Sequence, residues 1–150
     1  MLLDSSTPWT LTYSWRGGLG PGNVTVQIES TGKAKLTATP HGAESQRTQE
    51  AELELHEVAD IAAAVDGSGL LCQVAEPRIG YMVHDLGRYS IEVASGPTRK
   101  EVYLDGCHTL PDRKAFGEVT ELLDALEPRL GEELSWGPFA TMSTPGACDE

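Results

Sequence analysis

The 150-residue sequence predicts an α+β fold: an antiparallel meandering sheet of about five to six strands with two helices packed on one face. Three observations carry that expectation. Apolar and polar residues alternate through a series of short runs, the period of half-buried strands. Two later segments switch to apolar spacings of i, i+3, i+4 and i+7, the period of an amphipathic helix. The order of the runs contains no strand-helix-strand repeat of the doubly wound kind, so a sheet with one covered face and one wet face satisfies it.

Trp9, Leu11, Tyr13 and Trp15 alternate with Thr10, Thr12 and Ser14, which defines the first strand. A glycine-rich break, Gly17-Gly18-Leu19-Gly20-Pro21-Gly22, separates it from a second strand with Val24, Val26 and Ile28 on one face. Ser30-Thr31-Gly32 has the composition of a short hairpin loop, with glycine free to adopt positive φ. Ala34, Leu36 and Ala38 then continue the alternation until Pro40.

The segment from Arg47 to Leu55 requires a choice. Its glutamates and leucines suit a helix, yet Ala51, Leu53 and Leu55 alternate strictly with Glu50, Glu52 and Glu54. A helix would scatter those apolar residues, whereas a strand gathers them on one face, so a strand is expected. From His56 the period changes. Val58, Ile61, Ala62 and Val65 form a helical stripe that Gly67 or Gly69 ends.

Tyr89, Ile91 and Val93 mark another strand, Gly96-Pro97 turns the chain, and Val102 and Leu104 continue on a partner strand to Asp105-Gly106. Pro111-Asp112 signals the start of a second helix whose stripe is Phe116, Val119, Leu122, Leu123 and Leu126, with Pro128 expected to end it. Residues 1–130 thus read as a single α+β domain and 131–150 as an irregular acidic tail. The tail holds Gly131, Gly137, Pro138, Pro145 and Gly146 without periodicity, and Trp136 and Phe139 are placed to pin its first part.

The charge balance narrows the partners. Twenty-three acidic against 11 basic residues give a net charge of −12, which phosphate backbones repel, so no nucleic acid is expected. The charge is uneven: residues 1–104 hold 13 acids and 8 bases, and residues 105–150 hold 10 acids and 3 bases. No run approaches the ~20 apolar residues of a membrane span, so no membrane association is expected. Met1-Leu2-Leu3-Asp4 lacks the basic and apolar regions of a secretory signal. Cys72, Cys107 and Cys148 form an odd set with no C-x-x-C pair, against a disulfide scaffold or zinc knuckle. Reduced thiols in a cytoplasmic protein are the simplest reading, with a Cys72–Cys107 bridge left open.

No arrangement of residues reaches the level of an active site, and no cofactor or metal is expected. The glycine run lacks the Gly-Lys-Ser/Thr of a phosphate loop, and position 23 is Asn where a dinucleotide fingerprint needs glycine. His56-Glu57-Val58-Ala59-Asp60 carries Asp where a zinc-protease helix has its second histidine. His41, His84 and His108 are scattered through turns and loops, and no Gly-x-Ser-x-Gly elbow exists. The glycine loop itself remains: it is flanked by Trp15 and Arg16, residue types that anchor protein interfaces, and carries Leu19 at its tip. Trp15, Arg16, Gly17, Gly18 and Leu19 are therefore the candidate partner-binding residues of a non-enzymatic protein-binding domain. The alternatives are a small enzyme whose site assembles from Cys107, His108 and His84, and an immunity-type neutralising protein.

Tyr13-Ser14-Trp15-Arg16-Gly17-Gly18-Leu19-Gly20, the hairpin and helix that follow, Asp85-Leu86-Gly87-Arg88-Tyr89, and Leu110-Pro111 ahead of a helix ending Leu122-Leu123-Asp124-Ala125-Leu126 together form a further pattern. It resembles the emfourin-like family, small bacterial proteins whose founding member inhibits a thermolysin-like zinc protease. The resemblance spans about residues 9–127 and implies a protein partner, a protease, and inhibition as the activity. Leu19 stands where the family tends to carry an aromatic residue, and the tail from Leu130 has no counterpart. No individual inhibitory residue carries over.

Overall fold

A computed structural model of the chain describes residues 7–16, 22–40, 45–68, 88–105 and 113–131. Six strands, β1 (Trp9–Arg16), β2 (Gly22–Glu29), β3 (Lys33–Pro40), β4 (Arg47–Glu52), β5 (Arg88–Ser95) and β6 (Thr98–Asp105), form one sheet in the order β4-β3-β2-β1-β5-β6. Every neighbouring pair is antiparallel. Helix α1 (Leu55–Ser68) follows β4, and α2 (Arg113–Asp124) with the short α3 (Glu127–Leu130) follows β6. The expected α+β architecture is the observed one.

The strand order has a topological cause. Four strands meander from β1 outward to β4, and after a connection that contains α1 the chain returns so that β5 pairs with the other side of β1. Strand β1 thereby becomes a central strand, paired on both sides along its whole length. After β6 the chain brings α3 against β4 and β3, at the opposite edge of the sheet, while α1 packs on α2.

The period-2 pattern sorts the faces cleanly. Leu11 lies in register with Ile28 and Val93, Tyr13 with Val26 and Ile91, Val26 with Leu36, and Ile91 with Val102. All are buried and form one core with Val58, Ile61 and Val65 of α1 and Val119, Leu123, Leu126 and Leu130 of the C-terminal helices. At ~25 cal/mol per Å² of apolar surface removed from water, this single cluster supplies the main driving force for the layered arrangement. The core-side row stops at the edges. Lys100 opposes Val93 and is exposed, and Arg47 opposes Ala38, so charge blunts both edge strands against further pairing.

Two local expectations are corrected. Leu55 was expected on the inward face of a strand running from Arg47; instead β4 ends at Glu52, Leu55 is the first residue of α1, and it is 75% exposed. The inward position goes to Leu53, buried in the two-residue link and held by its N–H donating to the Gly32 carbonyl at 2.7 Å. Helix initiation is supported by one half of a capping box, the Glu57 carboxylate accepting from the Glu54 N–H at 3.4 Å. Pro128 likewise does not end the second helix. Helix α2 ends at Asp124, and Pro128 sits within the first turn of α3, where a missing N–H is harmless. Leu130 at the end of α3 is fully buried.

Asp124, half-buried at the end of α2, carries a further prediction. Burial, then the neighbouring Glu127 and Glu121 carboxylates, push its pKa up from 3.8 to about 6. Its Oδ1 atom is buried and accepts no hydrogen bond. A folded-state pKa above the unfolded one means that the folded state holds the proton more tightly. The group's favourable contribution is therefore complete below about pH 4 and lost as pH rises through about 6. Asp124→Asn is expected to stabilise the domain by about 1 kcal/mol at pH 7, the full shift being reduced by solvent screening. The gain should vanish toward pH 4 in urea melts; a gain that is independent of pH would contradict the assignment.

Candidate functional site

Two of the five candidate contact residues belong to a described element. Trp15 and Arg16 close β1, and Gly17, Gly18 and Leu19 lie outside the described residues. The base of this loop sits in the middle of the sheet. Trp15 is in register with Val24 on one side and Tyr89 on the other, and Arg16 with Asn23 and Arg88. The ladder therefore continues on both flanks to the last residue before the loop.

Why the chain holds β1 so firmly here follows from its composition. The alternating Trp9, Leu11 and Tyr13 side chains are buried in the core, while Thr10, Thr12 and Ser14 face the opposite side and are half-exposed. Ser14 and Ser90 hydrogen-bond through their hydroxyls at 2.8 Å, tying β1 to β5 just before the loop. At the far end of the hairpin, the Trp9 N–H donates to Ser30 Oγ at 3.1 Å and the Ser30 N–H to the Trp9 carbonyl at 2.9 Å.

Strand directions place other candidates at the same end of the sheet. Pairing of Arg16 with Arg88, Arg88 with Asp105, and Gly22 with Pro40 puts these strand ends side by side. The segments carrying His41, His84, Cys107 and His108 begin or end there, although these four residues and Cys72 lie outside the described residues. Sequence spacing could not show that the strand ends Arg16, Gly22, Pro40, Arg88 and Asp105 lie side by side; only the strand order does.

At the opposite end, the start of α1 gathers Glu54, His56 and Glu57, whose ligand atoms lie within 4.8 Å of one another. Asp60, the partner expected for His56 at i+4, is not in that group. His56 Nδ1 lies 3.1 Å from a Glu54 carboxylate oxygen, and both side chains are largely exposed. Glu57 is already engaged, since both of its oxygens accept from the Arg129 guanidinium of α3. That fork lowers the Glu57 pKa and raises that of Arg129. A metal ion would have to displace the guanidinium, so the cluster is better described as a helix-end latch.

The latch has a second half. Arg47 of β4 donates from its guanidinium to the Leu130 carbonyl at 3.0 Å, satisfying an end group of α3. Two arginines, one from an edge strand and one within α3, thus fix α3 against α1 and the sheet. Sequence reading passed over both, because each pair is separated by more than 70 positions and no local spacing announces it.

Among the described residues no helix is long and apolar enough to cross a membrane. No protein-family model and no curated protein matches the chain.

Proposed function

We propose that the chain is a protein-binding domain that presents the loop at Trp15, Arg16, Gly17, Gly18 and Leu19 to a protein partner, and that it acts as a cytoplasmic protease inhibitor of the emfourin-like kind. The observation that carries this reading is the clamped base of the loop: Arg16 is paired on both sides, to Asn23 and to Arg88, on the central strand of the sheet. A loop whose ends are held by two ladders loses less freedom when it docks, which favours affinity. Trp and Arg at its entry supply the residue types that most often dominate interfaces. The net charge of −12 steers the domain toward a basic or metal-bearing cleft, so capture weakens as salt rises.

The direct test titrates the protein against a thermolysin-like zinc protease and measures inhibition. Trp15→Ala and Leu19→Ala are each expected to weaken inhibition by about tenfold or more while circular dichroism stays unchanged. Equal inhibition by both variants and the parent protein would remove the loop from the contact. Absence of inhibition by the parent protein would remove the protease.

A further inference from the structure

The face of the sheet turned away from the helices has its own chemistry. Thr48, Thr37, Thr25, Ser14 and Ser90 are successive cross-strand partners, so a row of short hydroxyl-bearing residues runs unbroken from β4 to β5. Beside its β4–β3–β2 half lies a cleft of about 470 Å³, lined by Gln27, Glu29, Lys33, Lys35, Glu50 and Glu52 on the same face. Its volume falls within the range of small-ligand pockets.

The hydrogen-bonding groups of this cleft are open to a ligand. Lys33 lies opposite Glu52 and Lys35 opposite Glu50 in the strand register, yet neither lysine forms an ion pair among the described residues. The carboxylates do not converge either. The cluster able to hold a metal ion among the described residues is Glu54, His56 and Glu57, and Glu29, Glu50 and Glu52 are not part of it. Donors and acceptors are thus dispersed around the cleft in nearly equal measure, which suits neither a compact cation nor an anion.

We propose that this cleft and the hydroxyl row beside it form a binding site for an uncharged oligosaccharide laid across the strands. Each sugar hydroxyl is both donor and acceptor, as are the Thr and Ser hydroxyls, while the Gln27 amide offers both from one planar group. Neighbouring strands lie about 4.8 Å apart, so the row offers one short hydroxyl side chain at each step. Short side chains lose little rotamer freedom when a ligand settles on them. The central part of the row, from Thr37 through Thr25 and Ser14 to Ser90, holds no charged residue, so desolvating it costs little beyond hydrogen bonds that a polyol replaces. The site uses the open face of the strands and none of the candidate loop residues, although Ser14 and Thr25 lie close to the loop base.

The test is a titration of the ¹⁵N-labelled full chain with cellohexaose and maltohexaose, both uncharged, and with a galacturonate hexamer and a chitosan hexamer as anionic and cationic counterparts. An uncharged hexasaccharide should shift the amide signals of Thr25, Gln27, Lys35, Thr37 and Thr48. Thr25→Val/Thr37→Val, which keeps the β-branched shape and removes two hydroxyls, should weaken binding about tenfold. Gln27→Leu, at an exposed position, reads the same contact if the double variant is less well folded. The proposal fails if neither uncharged hexasaccharide shifts these signals, if only a charged one does, or if both variants bind as tightly as the parent protein.

Discussion

Gly32→Ala is expected to destabilise the domain by about 3 kcal/mol, through strain that no side-chain adjustment relieves. Gly32 ends the β2–β3 turn, its N–H donating to the Glu29 carbonyl at 2.9 Å, with φ at +103°. L-residues with a Cβ rarely adopt that backbone conformation. A Cβ there would also lie 2.6 Å from the Leu53 carbonyl oxygen, a backbone atom in the link to α1. Relieving the contact would pull apart the Leu53 N–H bond to the Gly32 carbonyl and shift a buried leucine with it. Gly96 provides the internal control. Its φ is +58°, but nothing lies within 4 Å of a Cβ built there. Gly96→Ala should cost about 1 kcal/mol, from backbone strain alone. Urea denaturation of the two variants separates the effects; equal losses would show that the contact with Leu53 is not the cause.

Leu130→Ala is the second large effect, at about 2–5 kcal/mol. The side chain is fully buried beside the core residues of α2, although it sits just past a proline and just before the glycine that closes α3. Truncating it removes apolar contact and leaves a cavity against β4 and β3, the strands on which α3 packs. Leu55→Ala is the matching control, because Leu55 is 75% exposed; its change should stay within about 0.5 kcal/mol. Chemical denaturation midpoints decide between them. A negligible loss at Leu130 would place the last turn outside the cooperative core.

The two leucines show where sequence reading succeeds and where it stops. Among the described side chains, strict alternation in β1, β2, β3 and β5 identified the buried set, because a sheet with one covered face leaves no other arrangement for them. The same alternation carried one residue too far at Leu55, since a helix start depends on capping and on what Leu53 can reach. At Leu130 the proline and glycine signals suggested a stop. Burial against the sheet overrode them, as tertiary packing does when a short apolar turn has a surface to meet.

The candidate sites divide in a similar way. The break between β1, which ends at Arg16, and β2, which starts at Gly22, was legible because composition alone marks it. That its base lies on the central strand was not legible, since β5 reaches β1 only through a crossover of more than thirty residues between Glu52 and Arg88. The hydroxyl row is built from residues that look, one strand at a time, like ordinary outward-facing strand positions. It becomes a row only when four separate pairings fall into register.

By itself, then, the sequence determined the fold class, the strand and helix periods and the identity of most of the core, because side-chain period and burial are local consequences of backbone geometry. Tertiary structure alone decided the strand order, the close approach that demands glycine at position 32, the arginine latches on α3 and the composition of the open face. Each of these depends on contacts between residues far apart in the chain, and such contacts form only when a shared core brings their elements together.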